Sequence, residues 1–586
     1  YEQLITLLKG MPASRVEKAE VMYSAPPQYH VRGAAINLVL KGYKPGEGGL
    51  QGEIRGEYKQ QKEAGGNGGV TLAYTSPKVD LDFMYNLQSS YTRGYIDFLA
   101  HHTVKGQVYD VNQVTEHTGR SLAHTLRAGG TYKFDDDNSL ELSYTTQFSP
   151  SSQHHSHSSG SISESFNDSR THHQMHNAAL NYTSGFGFRA GADYTNFTST
   201  DTQNFFDRSP EEVETRFVSR SNQHIDRWKI YADQNHSLPH DWTLNYGTSF
   251  SYVHNRNIQD YDLPEMQDQN LYNRIREYTY NVYAGFDKPF NSQWTLSASA
   301  ALEYYQMQDY RKWAVYPTLQ LNYMPSASHI LQLSFSSDKT YPDYWTLSGA
   351  TSYLNGYNES VGNPFLRPYT EYDADLTYIL KSKYIFQVSY SYTPDYFMQT
   401  VYLDSDRLKA IYNWQNWDYS QELAFTAILP FKVGHWWDSR LTLQASLKHD
   451  KASAYYDAPF NQQQWVGVGH WTHTFQLCRR PNLKMEVTAF GQTQSIQGSY
   501  DIQPVAFVDA ALRYTFAKDR AMLQLKGSDI FNTMNPKTRV RNGAQYLDMN
   551  TKSYLQSITL SFSYRFGGYK KKEVKDVDTS RFGNHS

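Results

Sequence analysis

Apolar and polar residues alternate along the last strand-like stretch of the chain, Tyr554–Phe566. Every second position from Tyr554 onward is apolar or aromatic apart from Gln556, and the intervening positions are polar apart from Leu555. A period of two residues indicates an extended strand with one apolar and one polar face. Aromatic residues begin and end the apolar face, and such side chains are favourable where hydrocarbon meets water. The pattern therefore predicts a transmembrane β-strand, with lipid on one side and an aqueous lumen on the other.

The same alternation recurs in earlier stretches. Residues 122–134 and 508–516 each place apolar or aromatic side chains on one face and mainly polar side chains on the other. Arg127, Arg513 and Arg565 fall on polar faces, and an arginine facing lipid near the midplane would cost about 2–4 kcal/mol. We therefore expect these arginines to point into the lumen. A soluble β-sandwich would share the alternation, but over shorter strands and without a one-sided pattern of loop lengths.

Short turn signals, rich in Gly, Pro, Asn, Asp and Ser, separate pairs of these stretches. They lie at residues 76–77, 135–138, 184–187, 239–241, 288–292, 325–328, 381–383, 430–434, 479–482 and 517–520. Two alternating stretches and a longer polar connection lie between consecutive turns, an asymmetry typical of outer-membrane barrels. Ten turns join eleven hairpins, which predicts an all-β, antiparallel barrel of about 22 strands. The longest outer loops are expected near residues 91–118, 147–172, 255–275, 340–368 and 535–550.

Composition supports a membrane barrel over a set of soluble domains. The 586 residues include 49 Tyr, 29 Phe and 11 Trp, yet the mean hydropathy is only −0.69. Half of each barrel strand faces water and aromatic girdles flank the lipid, so a membrane barrel combines these properties. No apolar run approaches the about 18 residues of a spanning helix. The net charge of −3 gives no support to nucleic-acid binding, and a single cysteine, Cys478, allows no internal disulfide.

The chain shows no motif for catalysis. His-Glu-x-x-His, Cys-x-x-Cys and phosphate-binding Gly-x-x-x-x-Gly-Lys-Ser/Thr are all missing from the sequence. Ser and His are plentiful, but nothing places a nucleophile beside a base. We expect no enzyme activity and no cofactor. No signal peptide is visible at Tyr1, which indicates a processed or incomplete product.

Several short motifs resemble those of TonB-dependent outer-membrane receptors. Residues 7–24 and 30–41 are similar to the last third of the plug domain of that family, and residues 362–376 carry a GNP-x-L-x-P signature. Residues 525–536 resemble a late-barrel segment with Asp-x-Phe-Asn, and residues 561–566 resemble the C-terminal assembly signal. The order of the motifs matches the family over essentially the whole chain. Barrels of 22 strands are also the plugged class of outer-membrane transporters.

The resemblance implies three parts. Residues 1–49 would be the C-terminal part of a plug, residues 50–566 the barrel, and residues 567–586 a charged tail in the periplasm. Tyr564 and Phe566 would belong to the signal read by the barrel-assembly machinery. The plug of the family is longer than 49 residues, and its box that contacts the energy-coupling protein TonB is not in this sequence. The tail is expected to be solvated and disordered, with a docking role as the alternative.

Histidines form the first candidate site. They flank one expected outer loop at both of its ends, which a hairpin would bring together: His154, His155, His157, His172, His173 and His176. Two or three neutral imidazoles suffice to hold zinc, copper or an iron-group ion. The sequence therefore raises the hypothesis of a metal or haem site there. The alternative is that wet outer loops contain His simply because they are polar.

Aromatic residues of another outer loop form the second candidate, a ligand-binding surface. They are Tyr341, Tyr344, Trp345, Tyr353 and Tyr357. Exposed Tyr and Trp make good contacts with sugars, peptides or a partner protein. The alternative is an aromatic girdle in which the loop packs on itself.

Four functions compete at this point. The resemblance implies uptake of a scarce nutrient, such as a metal chelate, haem, glycan or peptide, across the outer membrane of a Gram-negative bacterium. Its partners would be outer-membrane lipid, the assembly machinery, TonB, and a surface lipoprotein or other outer-membrane subunits. The alternative is a scaffold barrel that does not transport. A passive porin and an outer-membrane enzyme have less support.

Overall fold

The computed structural model describes residues 16–22, 35–40, 49–567 and 577–583. The strands are β1 (Val16–Met22), β2 (Ala35–Leu40), β3 (Gly49–Gln60), β4 (Ala64–Thr75), β5 (Val79–Val104), β6 (Gln107–Lys133), β7 (Ser139–Gly160), β8 (Glu164–Thr183), β9 (Phe188–Arg208), β10 (Glu214–Leu238), β11 (Trp242–Tyr261), β12 (Leu271–Pro289), β13 (Trp294–Met307), β14 (Tyr310–Ser326), β15 (His329–Thr340), β16 (Thr351–Tyr353), β17 (Asn358–Val361), β18 (Tyr369–Leu380), β19 (Tyr384–Pro394), β20 (Phe397–Leu403), β21 (Ala410–Asn416), β22 (Tyr419–Val433), β23 (Trp437–Ala452), β24 (Phe460–Arg479), β25 (Asn482–Gln492), β26 (Ser495–Gln497), β27 (Tyr500–Ile502), β28 (Val505–Phe516), β29 (Ala521–Ser528), β30 (Lys537–Asn542), β31 (Gln545–Ser553) and β32 (Ser557–Phe566). Two short 3₁₀ turns cover Pro264–Gln269 and Thr346–Ser348. Within the described ranges, no helix has the length and apolar character needed to cross a membrane.

A closed antiparallel barrel of 22 strands confirms the predicted fold. It consists of β3–β15, β18, β19, β22–β25, β28, β29 and β32. The last strand pairs with the first, so that Phe566 lies opposite Gly52 and Leu560 opposite Tyr58. Closure matters because backbone groups at an open sheet edge would have no hydrogen-bond partner in lipid.

One rim of the barrel carries only short turns, as the turn signals predict. All ten predicted turns coincide with or overlap a strand connection at this rim. The overlap is smallest for the signal at residues 430–434, because β22 continues to Val433 and the turn begins at Gly434. Short turns mark the periplasmic rim of outer-membrane barrels, and the opposite rim is therefore the outer one.

The outer rim differs from the sequence prediction in three places. Residues 91–118 and 147–172 form paired strands instead of loops, with β5 and β6 reaching 26 and 27 residues. Only about 9–11 residues are needed to cross the lipid, so these hairpins project outward. Residues 535–550 also pair, as β30 and β31. Residues 147–172 are mainly polar on both faces, which is the composition of a loop, yet cross-strand pairing needs no apolar face.

Side-chain direction follows the two-residue period. In β32, Ile558 and Leu560 are exposed on the lipid side, while Ser557 is buried. The Arg127 side chain lies on the lumen side of the wall, where its Nη1 donates to Asp82 Oδ2 at 2.5 Å. Arg565 donates to Glu53 from the closing strand. Arg127, Arg513 and Arg565 all line the lumen cavity, which confirms the inward direction predicted for them. Residues 554–556 precede the last strand instead of belonging to it.

The two ends of the chain behave differently from the expectation. The sequence of residues 1–20 predicts a helix, but Val16–Met22 is a strand that pairs antiparallel with Ala35–Leu40. Pairing between the two segments outweighs the weak local preference for helix. The other residues of the expected plug lie outside the described ranges, apart from Gly49, which begins β3. The tail beyond β32 is predicted to lie in solvent. This prediction is wrong for the segment Val577–Gly583, because Phe582 is buried inside the barrel.

The closing seam should be sensitive to a single methyl group. A Cβ at Gly52 would lie 2.6 Å from both the Phe566 ring and the Thr71 carbonyl oxygen, whereas a Cβ at Gly56 meets nothing within 4 Å. We expect Gly52→Ala to destabilise the barrel by about 1–3 kcal/mol through overpacking, and Gly56→Ala to have little effect. Unfolding in urea, followed by heat-modifiable gel mobility, measures both variants. Equal midpoints for the two variants would contradict this account of the seam.

Candidate functional site

Two loops close the outer mouth of the barrel, namely residues 341–368 and 395–418, called here the outer closure. Their strands form a four-stranded sheet in the order β16–β17–β21–β20, in which β17 and β21 are parallel. In Tyr357–Ser360 every residue is buried. The loops therefore fold over the lumen and do not extend into solvent.

The outer closure packs against the inner face of the projecting hairpins. Tyr357, Val401 and Leu403 share one buried cluster with Phe98 and Val111 of β5 and β6. This apolar packing fastens the closure to the barrel wall.

A buried histidine joins the two loops of the closure. His102 Nε2 lies 2.8 Å from the carbonyl oxygen of Asp404, and His102 Nδ1 lies 2.9 Å from the Tyr357 hydroxyl. Since a carbonyl only accepts, Nε2 carries the proton and Nδ1 accepts from Tyr357. The ring thus holds one residue from each loop on strand β5.

The GNP motif contributes to the same junction. Asn363 Nδ2 donates to the Trp414 carbonyl at 2.8 Å, and the Arg367 backbone N–H donates to Asn416 Oδ1 at 3.0 Å. In the late-barrel motif, both carboxylate oxygens of Asp529 accept backbone N–H groups of the following turn. Both motifs therefore shape loops at the outer rim.

A polar lumen lies below the closure, with a cavity of about 2500 Å³. At its upper end, on β12, is Glu277, whose side chain is 5% exposed. Tyr305 and Tyr344 donate their hydroxyls to the two Glu277 oxygens at 2.7 and 3.1 Å. Tyr344 belongs to the outer closure, outside the membrane-spanning strands, and burial raises its pKa well above the usual value. Its hydroxyl therefore remains a donor to Glu277 at all ordinary pH values.

A second buried charge pair lies beside this carboxylate. Lys339 Nζ is 3.2 Å from Glu303 Oε1, and the two side chains are 2% and 0% exposed. Tyr341 donates to the same Glu303 oxygen at 2.5 Å. The Lys339 ammonium also lies over the rings of Tyr305 and Tyr341, at 4.3 and 4.9 Å. At the upper end of the lumen, carboxylates, a cationic side chain and tyrosines are thus in contact with one another.

The segment Val577–Gly583 reaches this place from the other end of the chain. Arg581 Nη1 and Nη2 donate to the two oxygens of Glu277 at 2.8 and 2.9 Å. The segment was expected to be solvated, and no feature of its sequence indicated a partner within the barrel.

Comparison with known proteins agrees with this geometry. Residues 184–564 match the outer membrane protein beta-barrel family. The chain belongs to this family. A search of curated proteins finds no match.

Solved structures of outer-membrane receptors share the fold of this family member. A variant of the ferric enterobactin receptor PfeA from Pseudomonas aeruginosa is 11% identical, with a TM-score of 0.57 over 95% of this chain and 87% of that one. The siderophore receptor PirA from the same organism is 11% identical, with a TM-score of 0.55 over 95% of this chain and 88% of that one. The copper transporter OprC is 9% identical, with a TM-score of 0.59 over 91% of this chain and 84% of that one. The resemblance to the receptor family is confirmed at the level of fold, as is location in the outer membrane.

The five candidate aromatics of this outer-membrane barrel do not form one surface. Tyr341 and Tyr344 face the lumen site, whereas Trp345 packs edge-on against Trp414. Tyr353 joins a ring cluster with Phe205 and Phe217, and Tyr357 meets His102. Folding of the closure buries or separates these rings, and only the first two belong to the polar lumen.

The six histidines are likewise not brought together. The turn of their hairpin lies at residues 161–163, so they are spread along β7 and β8 at about 3.3 Å per residue. His155 contacts Asp168 and His157 contacts Glu164, while His176 contacts Tyr144. His154 stacks on His117, and His173 stacks on Phe197. His172 pairs in register with Thr200.

Within the described part of the chain, no group of three or more His, Cys, Asp or Glu side chains is arranged to hold a metal ion. The convergence on which the hypothesis of six ligands depended is therefore not seen. Binding of metal or haem by a smaller set of these histidines stays a prediction.

Sequence reasoning missed Glu277, Tyr305 and Arg581. Glu277 sits at an inward position of an alternating stretch, like many other polar residues of the barrel. Its only distinguishing property, a partner far along the chain, is not visible in a sequence.

Tyr564 and Phe566 lie at the end of β32 by the seam, where a role in assembly stays a prediction.

The buried Lys339–Glu303 pair should contribute more to stability than an exposed one. We expect Lys339→Met to lower the free energy of unfolding by about 3–5 kcal/mol, because it removes a cation from a buried carboxylate. Lys432→Met, which breaks an exposed pair with Asp438 at 3.2 Å, should cost no more than about 1 kcal/mol. Guanidinium unfolding in detergent micelles measures both variants.

A double variant separates charge from packing. Lys339→Met combined with Glu303→Gln removes both charges, and we expect it to recover part of the loss. Equal losses for Lys339→Met and Lys432→Met would show that the lumen pair is solvated and carries no special weight.

Proposed function

We propose that this barrel is an outer-membrane receptor that takes up a scarce nutrient through a gated lumen. The observation that carries the proposal is the folded outer closure over a polar lumen of about 2500 Å³, inside a 22-strand wall. A passive pore needs no such closure. The fold shared with a ferric enterobactin receptor, a siderophore receptor and a copper transporter supports the same class of function.

The outer closure would bind the nutrient and then move. Its strands form a sheet separate from the barrel and are joined to the wall by contacts such as that of His102 with Tyr357, so the two loops can move without opening the wall. The ligand would then enter the lumen at the level of Tyr341 and Tyr344. A metal chelate, haem, a glycan and a peptide all remain candidate nutrients, because tyrosine, carboxylate and ammonium groups suit each of them.

Several partners belong to this proposal. The energy-coupling protein TonB would drive uptake through the plug, and residues 1–49 would form the C-terminal part of that plug. The barrel-assembly machinery would read Tyr564 and Phe566 during insertion. A surface lipoprotein or other outer-membrane subunits would cover the outer closure. Enzyme activity is not part of the proposed function, because the lumen groups are paired with one another and not arranged as nucleophile and base.

A scaffold barrel without transport is the second candidate. The entry of Val577–Gly583 into the lumen favours it, because a chain segment held there narrows the path. A scaffold would hold its partners in fixed stoichiometry and would not respond to a nutrient. The two functions therefore differ in whether loss of the protein limits growth of the host cell on one nutrient.

Uptake predicts a growth phenotype tied to one nutrient. Cells that lack the protein should fail to grow when that nutrient is supplied only at low concentration, and should recover with the wild-type chain. Growth on a panel of ferric chelates, haem, glycans and peptides as sole sources measures this. Purified protein should bind the same compound in isothermal titration, and conduct little in liposomes because its mouth is closed.

Deletion of residues 351–361 offers a control, since it removes β16 and β17 but no barrel strand. The variant should lose ligand binding and gain conductance while the barrel remains inserted. Growth on every nutrient without the protein, together with copurification of a stoichiometric partner, would overturn uptake in favour of the scaffold.

A further inference from the structure

The segment Val577–Gly583 lies at the outer end of the lumen, although the strand that precedes it in sequence ends at the other rim. The closing strand ends at the periplasmic rim, where a Cβ at Gly567 would lie 2.2 Å from the Leu50 carbonyl oxygen. Ten residues later the described chain resumes inside the barrel, at the outer half of β12. The segment that contacts the outer closure therefore follows, in sequence, a strand that ends at the opposite rim.

Arg581 makes the central contacts of this segment. Both of its terminal nitrogens donate to Glu277, and Nε donates to the Pro342 carbonyl at 3.0 Å. The guanidinium lies 4.2 Å from the centre of the Tyr344 ring and 5.0 Å from that of Tyr341. In return, the Tyr344 backbone N–H donates to the Arg581 carbonyl at 3.2 Å. One side chain thus joins the barrel wall to the first residues of the outer closure.

Phe582 fills an apolar recess next to the carboxylate. It is 4% exposed, and its ring lies 5.5 Å from that of Phe197 and 6.2 Å from that of Tyr344. Arg227 covers the ring at 5.4 Å and also donates to the Asp578 carbonyl at 2.7 Å. The recess therefore accepts an aromatic side chain that directly follows the arginine.

The polar backbone of the segment is held as well. The Gly583 N–H donates to Gln223 Oε1 at 2.9 Å, and the Phe582 N–H donates to the Thr579 carbonyl at 3.0 Å. Contacts to side chain, ring and backbone together make this a built binding site and not a chance approach.

The chemistry of the site selects an arginine. A carboxylate that receives two parallel N–H bonds matches the planar fork of a guanidinium, and tyrosine faces favour the same flat cation. A lysine would keep the charge but could form neither the paired bonds nor the stacking. The adjoining recess adds the requirement for an aromatic neighbour.

We propose that Val577–Gly583 is an internal ligand of the lumen, and that the Glu277 site is a receptor for an arginine–aromatic peptide. By binding there, the segment holds residues 341–348 against the wall and keeps the outer closure shut from inside. Release of the segment frees the closure. The inference goes beyond nutrient uptake and holds equally for a barrel that does not transport.

The binding is reversible on physical grounds. The segment adds no strand to the barrel ladder, so it can leave without exposing backbone groups to lipid. A buried carboxylate or guanidinium left without its partner is strongly disfavoured. Loss of either member should therefore expel the segment and leave the 22 strands intact.

Hydrogen exchange with mass spectrometry tests this in the full-length protein. In wild type, residues 577–583 and 341–348 should both exchange slowly. In Arg581→Ala and in Glu277→Gln, exchange in both regions should rise by at least about 100-fold. Arg581→Lys should fall between these variants and wild type. Glu265→Gln, at an exposed position of an outer turn, is the matched control and should resemble wild type.

Two results of that experiment would overturn the proposal. One is exchange of residues 577–583 at the rate of an unstructured peptide in wild type. The other is faster exchange of 577–583 in Arg581→Ala with no change at 341–348, which would remove the link to the outer closure. Heat-modifiable gel mobility confirms that each variant retains its barrel, and Arg581→Lys serves as the test should the alanine variant fail to fold.

A peptide added in trans tests the receptor site directly. The full-length double variant Arg581→Ala, Phe582→Ala lacks the two anchoring side chains and should bind a labelled peptide VDTSRFG, measured by fluorescence anisotropy. The same peptide with citrulline in place of arginine should bind at least about tenfold more weakly, because it has lost its charge. Adding Glu277→Gln to the variant should abolish this preference. Equal affinity for both peptides, or no binding, would overturn the assignment.

Discussion

Satisfaction of backbone hydrogen bonds in lipid is the constraint on which the rest of this structure depends. A strand at the edge of an open sheet would leave its N–H and C=O groups without partners in hydrocarbon, so the sheet must close. Closure is completed by β3 and β32, which lie at opposite ends of the barrel sequence. The close approach of Gly52 to the Phe566 ring shows how tightly the two strands meet. Every loop and lumen contact is built on a wall that exists only when this seam forms.

Closure also determines where charges can lie. Because the outer face contacts lipid, polar residues of the alternating strands collect inside, where they are removed from bulk water. They then need partners, and the lumen provides them as pairs such as Arg127 with Asp82 and Lys339 with Glu303. The Glu277 site is also a buried carboxylate paired with a cation, but it differs in the origin of the cation. Its cation comes from a segment that is not part of the wall, so this pair can separate without disturbing the barrel.

The outer closure and the segment Val577–Gly583 stabilise each other. Tyr344 contributes a hydroxyl to Glu277, a ring to Arg581 and a backbone N–H to the same residue. The closure also has its own attachments at His102 and in the apolar cluster around Tyr357. The mouth is therefore held from the side by packing and from below by an ion pair. The outer closure therefore has two attachments of different chemistry, one apolar and one ionic.

The sequence by itself determined the wall of the barrel. The two-residue alternation, ten turn signals and abundant aromatics are local properties, and they predicted the strand number, the inward arginines and the outer-membrane location. Local patterns succeed here because lipid outside and water inside impose the same rule on every strand. Pattern reasoning failed where both faces of a strand are polar, as in residues 147–172, since a paired polar hairpin and a polar loop have similar composition. The convergence of six histidines assumed that the two ends of this loop meet, and metal or haem binding by a smaller set stays a prediction.

Only the tertiary structure decided what fills the lumen. Glu277, Tyr344 and Arg581 come from a strand, an outer loop and the segment beyond the last strand, and 304 residues separate the first from the last. Nothing in the local sequence of any of them names the others. Their meeting depends on closure of the barrel, which places the end of β32 beside the lumen, and on the inward fold of residues 341–368. Contacts of this kind follow from the overall arrangement of the chain in space, and a periodic pattern of side chains carries no record of it.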